Sequence, residues 1–117
     1  MHKKSRVILS PEAKEVYIYL NNKAPSSKAE RMLLKAIKDK VELIKENRGY
    51  GNPIAKSLIP KEYRQKYGVT NLFRVELPCF WRMLYTLKGK SEIEIIAFVV
   101  DIMDHKKYNR KFGYSDK

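Results

Sequence analysis

Two arginines in a predicted β-hairpin are the side chains of this sequence best suited to chemistry on a phosphate. Residues 72–77 and 81–88 alternate apolar and polar side chains, which predicts two antiparallel strands. Their pairing places Glu76 opposite Arg82, with Arg74 diagonal to Arg82 on the same face. A planar guanidinium binds two phosphate oxygens at once and keeps its charge. Arg82, with Arg74 beside it, is therefore a candidate phosphate clamp.

The same register allows a purely structural reading of these residues. Glu76 and Arg82 would form a cross-strand ion pair, and Arg74 would be a solvated strand residue. Glu76 is also a candidate general base, since a carboxylate can accept the proton of an attacking hydroxyl. Both readings of Glu76 stay open at the level of sequence.

His105 is the other candidate for proton transfer. Apart from His2 it is the only histidine, and imidazole titrates near neutral pH, although a histidine in a basic tail is also an ordinary surface residue. Asp101 and Asp104 do not complete a metal-ligand set with it, so we expect neither a metal nor another cofactor. Cys79 falls in the predicted turn without a histidine nearby, which argues against a nucleophilic cysteine.

Composition points to polyanions as partners. The chain has 117 residues, with 25 Lys and Arg against 13 Asp and Glu, and its formal charge is +12. Such a charge attracts nucleic acid before any sequence is read, although lysines that only solvate a small domain give the same count. A single cysteine excludes a disulfide framework and a four-cysteine zinc site. The longest apolar run, residues 95–100, is too short for a membrane span, so we expect a cytoplasmic protein.

Helical periodicity appears in the first half of the chain. Residues 6–9 read as a short strand, and Ser10-Pro11 predicts the start of a helix over 11–22. Ser26 or Ser27 is positioned to cap a second, longer helix. Its apolar side chains recur three and four residues apart, at Leu34, Ile37, Val41 and Ile44. Two antiparallel helices joined by a short turn are the simplest arrangement.

The second half of the chain must supply the sheet. Residues 47–71 have no apolar period, but Pro60 predicts a turn of helix through Tyr67. After the hairpin, residues 93–102 are nearly continuously apolar, as in a strand buried between two neighbours. Together these elements predict one α+β domain over residues 1–117, with two antiparallel helices packed on one face of an antiparallel sheet of about four strands. A short basic tail follows, and the other sheet face, with Arg74 and Arg82, is expected to be open.

Several short motifs in this order resemble the RelE/ParE superfamily of bacterial and archaeal toxins. The first is the segment 7–13 that opens the first helix, and the most specific is the hairpin of residues 73–77 and 81–85, with its aromatic, arginine and tyrosine pattern. Residues 56–58 look like the lysine-bearing segment of the family, and residues 104–108 look like its C-terminal end. The resemblance runs from about Arg6 to Tyr108 or Tyr114.

The resemblance implies a RelE-like fold and a set of site residues. In the RelE branch the ribose 2′-hydroxyl attacks the adjacent phosphate without a metal, and basic and aromatic side chains stabilise charge and move protons. Transferred to this sequence, the catalytic set is Arg82, Arg74, Lys56, His105, Lys106 and Tyr108. Tyr114 competes with Tyr108 for the tyrosine position. Glu76 departs from the pattern, because several RelE-like toxins carry a basic residue there.

The implied function is that of a toxin in a type II toxin–antitoxin system, acting as a ribosome-dependent mRNA endonuclease (an mRNA interferase). Its expected partners are a cognate antitoxin protein, mRNA and the ribosome with its rRNA, without a membrane or a small-molecule cofactor. Two alternatives stay open. One is a ParE-like toxin that poisons gyrase, and the other is a catalytically inactive member that only binds nucleic acid.

Overall fold

A computed structural model describes residues 4–89 and 94–113, and its centre is a five-stranded sheet. The strands are β1 (Lys4–Leu9), β2 (Asn52–Pro53), β3 (Phe73–Glu76), β4 (Trp81–Gly89) and β5 (Glu94–Asp104). Their order is β1-β5-β4-β3-β2. The α+β class is confirmed. The prediction of an antiparallel sheet of about four strands was wrong, because β1 runs parallel to β5 and the short β2 adds a fifth strand.

The first face of the sheet is covered by two helices, as predicted. Helices α1 (Pro11–Lys23) and α2 (Lys28–Glu46) pack there through Leu20, Ile37 and Ile44, which are at most 1% exposed. Burying one such side chain is worth about 1.5–3 kcal/mol, so this layer accounts for much of the stability. We call it the first core.

Ser10 fixes the start of α1 to the sheet. Its hydroxyl oxygen accepts the amide hydrogen of Ala13 at 3.0 Å, which is the predicted helix cap. The same hydroxyl donates to the carbonyl oxygen of Val100 in β5 at 2.8 Å, and the Ser10 amide donates to the Val99 carbonyl. Ser10 is completely buried, and its hydroxyl and amide groups satisfy backbone groups of both the helix and the strand.

Strand β5 lies between β1 and β4, as its apolar sequence predicted, although Ile93 is outside the described residues. Leu84 pairs with Asp101 but the next residue, Tyr85, pairs with Val99, so Val100 is an extra residue in β5. This β-bulge changes which face the following side chains occupy. Val100 packs on the second face, and Asp101 contacts Tyr63 on that same face.

The second face is not open, and that prediction was wrong. Helix α3 (Lys61–Tyr67), which begins after Pro60 as predicted, and helix α4 (His105–Phe112) cover part of it. A second core lies beneath them, formed by Ile59, Tyr63, Val69, Leu72, Leu84, Val100, Met103 and Tyr108. The predicted basic tail is therefore a helix over 105–112, which the Asp104 carboxylate caps through the Lys107 amide at 2.9 Å.

Within the described ranges, no helix combines the length and the apolar character that a membrane crossing requires.

Candidate nucleic-acid interface

The pairing of β3 with β4 places three charged side chains on the second face. Glu76 is opposite Arg82, and Arg74 lies two residues before Glu76 on the same strand. The intervening pair, Val75 and Met83, is buried in the first core. Successive side chains of a strand alternate between faces, so the charged groups point to the other side. The predicted register is confirmed in full.

One carboxylate holds both guanidinium groups. Arg82 Nε lies 2.9 Å from Glu76 Oε2, and Arg74 Nε lies 3.0 Å from Glu76 Oε1. The Glu76 side chain is 51% exposed, whereas those of Arg74 and Arg82 are 33% and 19% exposed. Solvent does not reach either Nε atom. Glu76 therefore compensates the buried edge of each arginine, and the expected ion pair with Arg82 also includes Arg74.

Helix α4 adds an aromatic ring to this group. The Tyr108 hydroxyl accepts a hydrogen bond from Arg74 Nη1 at 3.2 Å. The ring centroid lies 5.9 Å from the Arg74 guanidinium carbon and 5.7 Å from that of Arg82. Phe112, one turn later on α4, stacks on Tyr108 with centroids 4.4 Å apart. We call Arg74, Glu76, Arg82 and Tyr108 the arginine cluster.

Tyr108 is buried, which restricts the contacts that its ring can make with a ligand. A ring under Phe112 and two guanidinium groups does not present a free face to an RNA base, so its role in this arrangement is to orient Arg74 and Arg82. Tyr114, the competing tyrosine, lies outside the described residues.

His105 stands at the rim of the arginine cluster. It is the first residue of α4, three positions before Tyr108, and therefore projects from the same side of the helix. The imidazole is half-buried and contacts the ring of Phe80 edge to face, with centroids 5.7 Å apart. The imidazole is thus partly open to solvent, about one helical turn from Tyr108.

The hairpin turn that carries Phe80 is strained. Cys79 and Phe80 have φ values of 60° and 61°, in the left-handed region that side chains with a Cβ rarely adopt. Each such residue costs about 1–2 kcal/mol. The turn is closed by a hydrogen bond from the Leu77 amide to the Trp81 carbonyl oxygen at 2.9 Å. Phe80 was not among the predicted site residues. The sequence signal for it is a tight hairpin turn in which Cys79 and Phe80 stand where glycine would be expected.

The two lysines of the predicted set are not part of the cluster. Lys56 lies in a short 3-10 turn between β2 and α3, and Lys106 follows His105 on α4. Both are exposed, and in the described part of the chain neither ammonium forms an ion pair with Glu76. The structure thus brings together Arg74, Arg82 and Tyr108, with His105 at the rim, and leaves Lys56 and Lys106 as separate surface cations.

A second polar group on the same face was not predicted. The Tyr63 hydroxyl donates to Asp101 Oδ2 at 2.9 Å, and Lys111 Nζ lies 3.6 Å from the same oxygen and 3.0 Å from Glu62 Oε1. The other oxygen of Asp101 accepts the Ile102 amide at 3.0 Å. Burial and the nearby carboxylate of Asp101 raise the pKa of Tyr63 well above its ordinary value. We call Asp101, Tyr63, Lys111 and Glu62 the buried cluster.

An open cleft of about 230 Å³ runs beside the arginine cluster at the edge of the sheet. It is lined by Lys40, Tyr50, Gly51, Asn52, Arg74, Val75 and Glu76. A Cβ at Gly51 would lie 2.9 Å from Tyr85 Cε1, so glycine is needed where this loop crosses the strand. The cleft leaves the β3 side of the cluster accessible to a chain-like ligand.

The arrangement is suited to binding an anion that presents two oxygens to a planar guanidinium. Arg82 Nε forms an ion pair with Glu76 without a hydrogen bond, and Nη1 donates to the Trp81 carbonyl oxygen at 3.2 Å. Its other N–H groups meet no acceptor among the described residues. Two cations face one carboxylate, so the cluster keeps a net positive charge. Such forked donors recognise carboxylates and phosphates, and the formal charge of +12 favours a polyanion with phosphate groups.

Among residues 4–89 and 94–113, no three histidine, cysteine, aspartate or glutamate side chains are grouped so that they could hold a metal ion. Comparison of the chain with models of known protein families, and with curated proteins, finds no match.

Proposed function

We propose that this chain is a RelE-like toxin that cuts mRNA on the ribosome by attack of a ribose 2′-hydroxyl on the adjacent phosphate. The observation that carries the proposal is the arginine cluster, in which two guanidinium groups and a tyrosine hydroxyl meet on one sheet face. The formal charge of +12 supports a polyanionic ligand and an acidic segment in an antitoxin partner.

In this proposal the arginines act on the charge of the transition state. Arg82 donates its remaining N–H groups to the non-bridging phosphate oxygens, and Arg74, oriented by Tyr108, adds a second cation. In-line attack produces a more highly charged phosphorane, so these contacts strengthen as the reaction proceeds. Most of the acceleration comes from holding the RNA in line and from this electrostatic stabilisation.

In this proposal the proton transfers are carried out by His105, which lies beside the arginine cluster. His105 is half-buried at the start of α4 and can exchange a proton with the 2′-hydroxyl or the leaving 5′-oxygen. Lys56 and Lys106 lie outside the cluster, and their exposed ammonium groups bind RNA phosphates at a distance from the reacting one.

A second candidate, RNA binding without cleavage, is favoured by one observation. Glu76 occupies the Nε edge of both arginines, and a carboxylate beside the phosphate opposes the build-up of negative charge. A chain of this kind would bind RNA in a salt-dependent way but leave it intact.

The test is primer extension on a defined mRNA in an in vitro translation reaction. We expect cuts with the unaltered chain that require translating ribosomes, and a loss of about 10²- to 10³-fold in cleavage rate for Arg82→Ala. Arg82→Lys keeps the charge but not the fork, so it should restore only a small part of the rate.

Arg31→Ala is the matched control, because it removes the same charge from an exposed position on α2, against the first face. Equal losses for Arg31→Ala and Arg82→Ala would mean that only total charge matters. Salt-dependent RNA binding without cuts would replace the endonuclease by the binding function. Absence of both would overturn the proposal and lead to a gyrase-inhibition assay.

A further inference from the structure

Phe80 is an apolar side chain held in solvent by a strained turn. It is 70% exposed, more than any other large apolar side chain in the described ranges. Its φ of 61° and that of Cys79 before it are conformations that non-glycine residues rarely adopt. An exposed ring recovers little of that cost by burial. Backbone strain of this kind is concentrated at active sites and ligand-binding sites, so the residues around the Phe80 ring are candidates for a binding site.

Those surroundings connect Phe80 with the arginine cluster. Two side-chain pairs join the start of β4 to α4, namely Phe80 with His105 and Arg82 with Tyr108. Phe80 lies two residues before Arg82, and His105 lies three residues before Tyr108 on the helix. The exposed ring and the Arg82 guanidinium therefore contact the same helix, α4, about one helical turn apart.

We propose that Phe80, supported edge-on by His105, is a stacking platform for one unpaired RNA base next to the phosphate bound by Arg82. This rests on the proposed function, since it assumes that the cluster holds an RNA phosphate. Unpaired bases are recognised by stacking on aromatic side chains, and the flanking Lys106 and Lys107 are exposed cations that suit a nucleic-acid backbone. A protein partner would instead need a contiguous apolar patch, and the residues that follow His105 on α4, Lys106 and Lys107, are exposed cations.

The experiment measures binding of a labelled single-stranded RNA by fluorescence anisotropy at low salt, with a series of oligonucleotides that each carry one abasic position. Loss of one stacked base weakens binding by roughly 5- to 100-fold. We expect such a rise in Kd for Phe80→Ala on intact RNA, and recovery in Phe80→Trp. One abasic oligonucleotide should lose affinity for the unaltered chain and show no further loss for Phe80→Ala.

Three further variants separate folding, charge and stacking. Phe80→Gly accepts the positive φ without strain, so it should unfold at the same or higher urea concentration than the unaltered chain and still bind RNA weakly. Ile18→Ala removes an apolar side chain of 49% exposure from α1, on the first-face layer, and should leave the Kd unchanged. Arg82→Ala should weaken intact and abasic RNA equally.

Each outcome decides between the two proposals. If Arg82→Ala weakens binding while Phe80→Ala binds every oligonucleotide as the unaltered chain does, the platform is overturned and the phosphate site stands. Equal losses for Phe80→Ala on all oligonucleotides also overturn it, because no single base is then read. Absence of RNA binding by the unaltered chain overturns the platform, and the proposed function is then decided by the cleavage assay on translating ribosomes.

Discussion

The arginine cluster and the buried cluster lie on the same face of one sheet and are built from the same chemical groups. Each contains carboxylate, cationic and tyrosine side chains. In the buried cluster the carboxylate of Asp101 is 2% exposed, and Tyr63 and Lys111 both turn toward it. In the arginine cluster the carboxylate of Glu76 is half exposed, and it is the guanidinium groups that are partly buried.

This difference separates a structural site from a site for a ligand. A buried carboxylate without partners is very costly, so the groups around Asp101 are committed to it and join α3 and α4 to β5. Around Glu76 the cations outnumber the acid, and the Arg82 guanidinium keeps N–H groups that meet no acceptor among the described residues. The buried cluster should therefore control stability, and the arginine cluster should control binding.

The largest expected effect is on stability, from Asp101→Ala. The variant leaves the Tyr63 hydroxyl and the Lys111 ammonium without their buried acceptor and removes the acceptor of the Ile102 amide. Breaking a buried pair in this way costs roughly 3 kcal/mol of unfolding free energy. Urea-induced unfolding followed by circular dichroism measures it.

Asp39→Ala is the control for that change. Asp39 forms an exposed ion pair with Lys35 along α2, at 3.1 Å, and its removal should alter stability by less than about 0.5 kcal/mol. If the two aspartate variants lose the same amount, the buried cluster has no special role and the contrast with the arginine cluster fails.

Asp101 also shows what a sequence pattern can and cannot determine. The alternation of residues 72–77 and 81–88 predicted the hairpin register and the shared face of Arg74, Glu76 and Arg82, because period two is imposed by strand geometry. The bulge at Val100 does not follow from any local pattern, and it is what turns Asp101 toward Tyr63.

Helix α4, which carries Tyr108, also depends on contacts that the sequence pattern does not show. Asp104 is a residue type that caps helices, but the polar composition of residues 105–111 favoured a tail. The helix forms because Tyr108, Lys111 and Phe112 face the sheet together, which is a tertiary effect. The placement of Tyr108 beside both arginines could not be predicted without it.

A smaller, pH-dependent effect is expected from Tyr63→Phe. At neutral pH the variant loses one buried hydrogen bond to Asp101, worth about 1 kcal/mol. The pKa of Tyr63 is raised in the fold, so above its ordinary value of 10.0 the unfolded chain releases this proton and the folded chain does not. The unaltered protein therefore loses stability as pH rises through 10, by up to about 1.4 kcal/mol per pH unit from this group.

The quantity to measure is the difference in unfolding free energy between the unaltered chain and Tyr63→Phe. Tyr67 and Tyr85, whose pKa values are also raised, are common to both and cancel. The stability advantage of the unaltered chain should shrink between about pH 9 and 11 in urea titrations. An advantage that stays constant over that range would contradict the burial of the Tyr63 proton.

The smallest expected effect concerns Glu76→Gln, and it acts on the arginine cluster. The variant removes the negative charge that both guanidinium groups face but keeps a side chain of the same length. Because Glu76 is half exposed, stability should change by less than about 1 kcal/mol. RNA should bind a few-fold more tightly at low salt, and the gain should fade as salt screens it.

Cleavage by the same variant separates the two roles left open for Glu76. A general base contributes about 10²- to 10⁴-fold, so its loss would lower the cleavage rate while binding improves. A structural partner would leave the rate unchanged or higher, because the phosphorane no longer faces a carboxylate. Glu15→Gln, an exposed residue on α1, makes the same change in total charge. If it tightens RNA binding as much as Glu76→Gln does, the effect belongs to net charge, and the arginine cluster is not where the RNA phosphate lies.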